Sequence, residues 1–371
     1  MRATFRLGRV AGIPVGVHWS LLVIAALLTT SLAGSMLPSV LPNADGSYWA
    51  AAILAAGLFF ASILAHELAH SLLARHYGQK VDDITLWALG GVSRLGSEAP
   101  TPRAEGMVAV VGPATSAALG GMFLGAGALL RVLTTHNSLL AVVLVWLGVI
   151  NLVLAVFNLL PGAPLDGGRV VSAVLWARSG DRRRAQIGAA KAGRVLGGAL
   201  IALGAVNVLF GVGFGSLWTM LIGWFVLEAS RAEEQAARVS LSFDGRTVRD
   251  LMTAAPPEVP EWLTVGDVRA SVPAPPAHQH TIVLRAYDGS VRSTVAVDLV
   301  RRLPAEVQLR EVARPAVVAA PDAPVMSTLQ DSGPIGAIVV MDGSQVLGVI
   351  GPDELRAATR DGSGDREPAG V

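Results

Sequence analysis

Four stretches of this chain, residues 15–37, 49–74, 107–130 and 139–160, are almost continuously apolar. At about 1.5 Å per residue each is long enough to cross a hydrocarbon core about 30 Å thick. Two shorter apolar stretches, 196–210 and 217–227, lie either side of a glycine-rich turn. Together they predict six membrane-spanning helices. Residues 81–95 break the pattern. Val81, Ile84, Thr85, Leu86, Trp87 and Val92 are β-forming residues, and Gly90-Gly91 marks a turn, so a small membrane-associated hairpin is expected there. Past residue 231 charges rise, prolines recur and the long apolar runs stop. Residues 247–360 read as a soluble α/β unit with a weak internal repeat, in which 248–252 and 263–268 answer to 309–312 and 323–326. The expected organisation is a polytopic α-helical membrane domain (1–230), a linker (231–246), the α/β unit (247–360) and a disordered polar tail (361–371).

The charges orient this scheme. Arg2, Arg6, Arg9, Arg75, Lys80, Arg94, Arg103, Arg178, Arg182, Arg183, Arg184, Lys191, Arg231 and Arg238 fall on one side of the predicted spans, and Arg131 falls on the other. The positive-inside rule then puts both termini on the cytoplasmic side of a plasma (inner) membrane. Residues 178–191 are expected to be a basic loop. Only 15% of residues are charged, against about a quarter in a soluble chain. The net charge of +1 gives no reason to expect a nucleic-acid partner. With no cysteine, any metal must be held by histidine and carboxylate.

The second apolar stretch contains His66-Glu67-Leu68-Ala69-His70. Histidines at i and i+4 stand about 6 Å apart along a helix on one face, so both imidazoles reach one ion, and Glu67 beside them is placed to take a proton from water. Ionisable groups in a lipid-length helix are expensive, so they mark function before a chance motif match. A catalytic zinc takes three protein ligands. Asp166 is the carboxylate available between the third span and the basic stretch, and it lies in Pro161-Gly162-Ala163-Pro164-Leu165-Asp166-Gly167-Gly168-Arg169, which cannot continue a helix. Broken backbone at membrane depth is tolerated where it lines a cavity. A cap for the helix that follows is the alternative role for Asp166. Asn151 and Asn158, seven residues apart, share a helix face that should look inward. His18 is expected at the membrane interface. The hairpin, with Leu86, Gly90 and Gly91, is a candidate to pair with an extended peptide substrate, or else a surface feature.

These motifs resemble the site-2 protease family of intramembrane zinc metalloproteases. The resemblance rests on His66–His70 with Asn158-Leu159-Leu160-Pro161 and Leu165-Asp166-Gly167-Gly168, along with Gly90-Gly91 and Gly112-Pro113, and covers about residues 10–230. It implies zinc bound by His66, His70 and Asp166, with Glu67 as general base and Asn158 positioning substrate or stabilising the oxyanion. It also implies a single-span membrane substrate, such as an anti-sigma factor, cleaved within the bilayer. The soluble half resembles a tandem pair of cystathionine-β-synthase (CBS) domains, which implies an adenine-nucleotide site and a homodimer formed through these domains. For the nucleotide, Asp298 matches the ribose-binding position of the first repeat. Val295 replaces the hydroxyl residue before it, and the second repeat has Gly351 and Glu354 at the two positions. Two other readings of the whole are a CBS-regulated ion transporter and an inactive membrane scaffold. A transporter has no need of Glu67, and a scaffold would be expected to have lost one of the four motif residues.

Overall fold

The computed structural model describes residues 3–44, 47–88, 90–133, 138–211, 213, 215–254, 256–272, 280–332, 337–352, 354, 355 and 358. The chain divides into two compact units, Met1–Gln235 and Ala236–Val371.

The first unit starts with strands, where the sequence suggested a span from residue 15. β1 (Phe5–Val10) and β2 (Ile13–Val17) form an antiparallel pair, and the first helix begins only at Trp19. In β2 the side chains of Ile13, Val15 and Val17 all face one side and are buried, a strand period inside what read as a uniform apolar run. His18 ends the strand. Its Nδ1 accepts from the Ser20 amide and caps α1 (Trp19–Ser31), so His18 is a helix cap. A π-helical turn, Leu32–Met36, joins α1 to the short α2 (Leu37–Val40). α3 (Tyr48–His76) is capped by Ser47 and carries the histidine motif. At its far end Arg75 Nη1 donates to Ala11 O at 2.8 Å, fastening α3 to the β1–β2 turn.

The hairpin follows as β3 (Val81–Trp87) and β4 (Gly90–Leu95), with Trp87 opposite Gly90. It does not stand alone. β2 pairs in parallel with β3, giving a four-stranded sheet of order β1-β2-β3-β4. The inner face of this sheet, Ile13, Val17, Ile84 and Leu86, packs with Leu21 and Ile63 against the helices. The Asp83 carboxylate takes two bonds from the Arg94 guanidinium, at 2.6 and 2.9 Å, and ties β3 to β4 on the opposite face.

α4 (Pro102–Leu133), α5 (Leu139–Asn158), α6 (Asp166–Ser179), α7 (Arg182–Leu209) and α8 (Gly215–Ser242) complete the unit. Residues 182–191, expected in a basic loop, are the opening turns of α7. Asp181 caps that helix, and its arginines are neutralised by Glu105 on Arg182 and Glu98 on Arg183, at 3.1 and 2.7 Å. Five helical segments among the described residues are long and apolar enough to cross a membrane: Trp19–Val40, α3, α4, α5 and α7. Between 17% and 39% of each apolar window is buried inside the protein, which leaves outward faces such as Leu22, Leu27, Ile53, Met122, Val153 and Val156 for lipid. α8 holds the expected sixth stretch, 217–227, in its first half. It is not among the five, and Glu228, Arg231, Glu233 and Glu234 make its second half polar.

The second unit is one seven-stranded sheet of order β5-β11-β10-β9-β8-β7-β6. Its elements are β5 (Thr253–Ala254), β6 (Glu258–Pro260), α9 (Val265–Ser271), β7 (Thr281–Arg285), β8 (Val291–Ala296), α10 (Val297–Arg302), α11 (Leu309–Val312), β9 (Arg314–Ala319), α12 (Val325–Ser332), β10 (Ala337–Asp342) and β11 (Gln345–Ile350). The two halves match: β6 and β9 each pair in parallel with the strand after a helix, and that strand turns back antiparallel. The lead-ins are exchanged. Val248, before the first half, lies in the core of the second with Val325 and Ile350, while Leu309, before the second half, lies in the core of the first with Val265 and Leu284. Thr247 accordingly bridges Pro324, and Thr264 bridges Gln308. Residues 361–371, expected as a tail, and Asp353 lie outside the described residues.

Candidate metal centre

Four elements build the site. α3 supplies His66, Glu67 and His70. α5 ends at Asn158, and a turn over residues 159–165 leads into α6, whose first residue is Asp166. That turn is clamped from below. Ser230 Oγ donates to Ala163 O at 2.5 Å, and the Ala163 amide donates to Ala189 O at 3.3 Å. The two glycines after Asp166 permit the close return of α6. A Cβ on Gly167 would stand 2.2 Å from Leu160 O, and one on Gly168 would stand 2.3 Å from Ala163 N.

His66 Nε2, His70 Nε2 and Asp166 Oδ2 converge. Each histidine nitrogen lies 3.2 Å from the Asp166 oxygen, and the two nitrogens are 3.1 Å apart. His66 and His70 are 5% exposed. The opposite ring nitrogens are engaged: His70 Nδ1 donates to the Val108 carbonyl at 2.6 Å, and His66 Nδ1 lies 2.9 Å from Ser116 Oγ. A carbonyl only accepts, so the proton of a neutral His70 sits on Nδ1 and its Nε2 turns a lone pair inward. The same arrangement holds metal-ligating histidines by their outer nitrogen. With its Nδ1–H on the Ser116 hydroxyl, His66 likewise turns a lone pair inward, and the three inward atoms then form an acceptor set for a cation. Ligands about 2.0–2.2 Å from a tetrahedral zinc stand roughly 3.3–3.6 Å apart, close to the spacing here. Space is kept at this point by α4. A Cβ on Gly112 would lie 2.1 Å from His70 Nε2 and 2.7 Å from His66 Nε2. The donor set fits zinc.

A cavity of about 680 Å³ opens over the cluster, lined by His66, Glu67, His70, Asp166, Asn158 and the β4 residues Gly90 to Ser93. Asn158 lines this cavity, and Asn151 is buried two turns back with Nδ2 on Leu147 O. Gly91 lies against the base candidate itself. Leu86 is placed otherwise than expected. It is 4% exposed in a central strand, flanked by Val17 and Gly91, and its carbonyl already accepts from the His18 amide. The free edge beside the cavity belongs to β4. Sequence reasoning missed Arg169 and Glu233, which also line the cavity, and Ser116 and Ser93, which hold the motif side chains. Arg169 follows Asp166 by three residues and so shares its helix face, a signal present in the sequence; Glu233 left none.

Comparison with known proteins decides the family. Residues 54–141 and 130–203 match Peptidase family M50. Over 366 residues the chain is 41% identical to the Mycobacterium tuberculosis protein named "Putative zinc metalloprotease Rip3", covering 96% of this chain and 92% of that one. The chain belongs to peptidase family M50. As an M50 peptidase it is a membrane zinc metalloprotease of the site-2 type. Its structure also matches the site-2 protease from Methanocaldococcus jannaschii at 26% identity and TM-score 0.41, over 62% of this chain and 94% of that one. The CBS domain of a membrane protein from Sphaerobacter thermophilus matches at 17% identity and TM-score 0.26, over 34% of this chain and 98% of that one.

Proposed function

We propose that this M50 peptidase cleaves a transmembrane segment of a single-span regulatory protein within the bilayer, with Glu67 as the general base. The observation that carries the reading is the three-acceptor cluster of His66, His70 and Asp166 at the floor of a cavity that Glu67 also lines. Zinc bound by these three residues supplies a Lewis acid that activates water and polarises a carbonyl. Glu67, one residue from His66, accepts the proton from the attacking water and passes it to the leaving amine. Asn158 Nδ2 is free of other partners among the described residues and donates toward the substrate carbonyl as charge develops on its oxygen.

A substrate helix must unwind to expose its carbonyls, and an unwound segment needs new backbone partners in a lipid setting. The open edge of β4, bordering the cavity, offers them by strand addition. This supports Gly90 and Gly91 as substrate-side residues and moves that role from Leu86 to β4. With the apolar first half of α8 taken as a sixth crossing, the charge asymmetry supports placing both termini, the metal cluster and the second unit on the cytoplasmic side of the plasma membrane. The exchanged βαββ halves support a CBS pair, and the regulatory role and homodimer contact proposed for this unit follow from that resemblance. For the adenine nucleotide, Glu354 is committed within the chain, accepting from Thr253 Oγ1 and the Gly351 amide, each at 2.9 Å. Asp298, exposed in the first turn of α10, is the ribose contact that remains.

The test is cleavage of co-expressed single-span regulators by the wild type and by Glu67→Gln, scored by immunoblot. The amide variant should insert normally, retain its zinc and cut nothing; cleavage at the wild-type rate would overturn the hydrolytic reading.

A further inference from the structure

Ser93 and Gly91 are the two inward positions of β4 beside the cavity, opposite the buried Ile84 and Leu86. Both meet Glu67. A Cβ on Gly91 would stand 2.2 Å from Glu67 Cγ, so only glycine leaves this side chain its place. Ser93 Oγ donates to Glu67 Oε2 at 2.8 Å. Ser71, one turn past Glu67 on α3 and wholly buried, donates to Ser93 Oγ at 3.1 Å. A serine hydroxyl has one proton and two lone pairs. With the Ser71 proton on a lone pair, the Ser93 proton is directed at Glu67.

We propose that Ser93 is the positioning residue for the Glu67 carboxylate, and that it couples the base to strand β4. This rests on the reading of Glu67 as base. A glutamate side chain beside an open cavity has several rotamers to choose among. One directed donor on Oε2 fixes the carboxylate plane and leaves Oε1 to take the proton. Because that donor rides on an edge strand, the base is aligned only as well as β4 is held. A substrate segment pairing with the free edge of β4 holds the strand, so substrate occupancy and base alignment rise together. A base misplaced by about 1 Å can lose up to about a hundredfold in rate.

The experiment uses the full-length protein in proteoliposomes with a single-span substrate. The variants are Ser93→Ala, Ser93→Thr and Ser71→Ala, with Glu67→Gln as reference. Ser93→Ala should lower kcat about tenfold or more, with KM and zinc content unchanged. Ser93→Thr, which keeps the hydroxyl, should restore most of the rate. Ser71→Ala, a milder change remote from the cavity, should give a smaller loss at full zinc content. In the Glu67→Gln protein, which binds without turnover, substrate should slow amide hydrogen exchange at residues 90–94. Wild-type kcat in Ser93→Ala, an equal loss in Ser93→Thr, or a loss that tracks zinc content would overturn the positioning role. Unchanged exchange at 90–94 would overturn the coupling. Continued cleavage by Glu67→Gln would instead remove the base reading beneath both.

Discussion

At the scale of single residues, the proposed centre separates substitutions that lower zinc binding from one that leaves it intact. Asp166 completes the acceptor set, so Asp166→Ala should lower bound zinc by tenfold or more in affinity, read by competition with a chelator. Glu67→Gln leaves the set untouched and should leave zinc content unchanged. Ser116→Ala removes the contact of the outer nitrogen of His66 and should weaken zinc by about 10–100-fold, the range seen when such supporting contacts are lost. Gly112→Ala should be as damaging to zinc content as loss of a ligand, because its methyl would occupy the space at the two Nε2 atoms. The three groups that converge were legible in the sequence because two sit at helical spacing and the third is a carboxylate on backbone that cannot stay helical. Ser93 and Ser116 were not, because a hydroxyl 26 or 50 residues from its partner leaves no local period. Gly112 could be noticed but not explained, since what a missing Cβ avoids lies on another helix.

At the scale of elements, apolarity alone misled at one place. Residues 15–17 belong to a strand held between β1 and β3, and its partners in β3 lie 69 residues on. The hairpin at 81–95 was legible from its β-forming residues, but its glycine pair, expected in the turn, opens strand β4, and neither the sheet it joins nor which of its strands is left open was legible. Substituting proline at Val92, whose amide faces Thr85 of β3, should slow cleavage at unchanged zinc content, since it removes a ladder bond and loosens the strand that carries the free edge. In the second unit, Thr247 with Asp250 and Thr264 with Asp267 form reciprocal capping boxes. The bonds from the Thr247 amide and hydroxyl, and from the Thr264 hydroxyl and amide, hold the Asp250 and Asp267 carboxyls below the ordinary aspartate range. Their stabilisation is therefore present above that range and lost as pH falls through the lowered values. Thermal melts of the second unit should show a midpoint that falls on acidification. Thr264→Ala should lose about 1 kcal/mol at neutral pH and flatten that dependence.

At the scale of the whole molecule, the division into an apolar and a polar part was visible in composition, and the duplication in the polar part was visible as a faint repeat. The exchange of lead-ins was not, because it is a relation between distant segments. It predicts that neither half of the second unit folds by itself. A chain ending near residue 305 should lack Leu309 from the first core and leave that half open to proteolysis, whereas ending the chain near residue 240 should leave the metal centre able to bind zinc. The same long-range wiring bears on how the protein is made. His66 and His70 emerge early, but Asp166 follows His70 by 96 residues. At about 5–20 residues per second this is a delay of roughly 5–20 s. On the proposed roles of these residues, the nascent chain carries throughout it a histidine pair and a base with no third ligand, so the peptidase stays harmless until its fourth span has been inserted and its backbone has turned back.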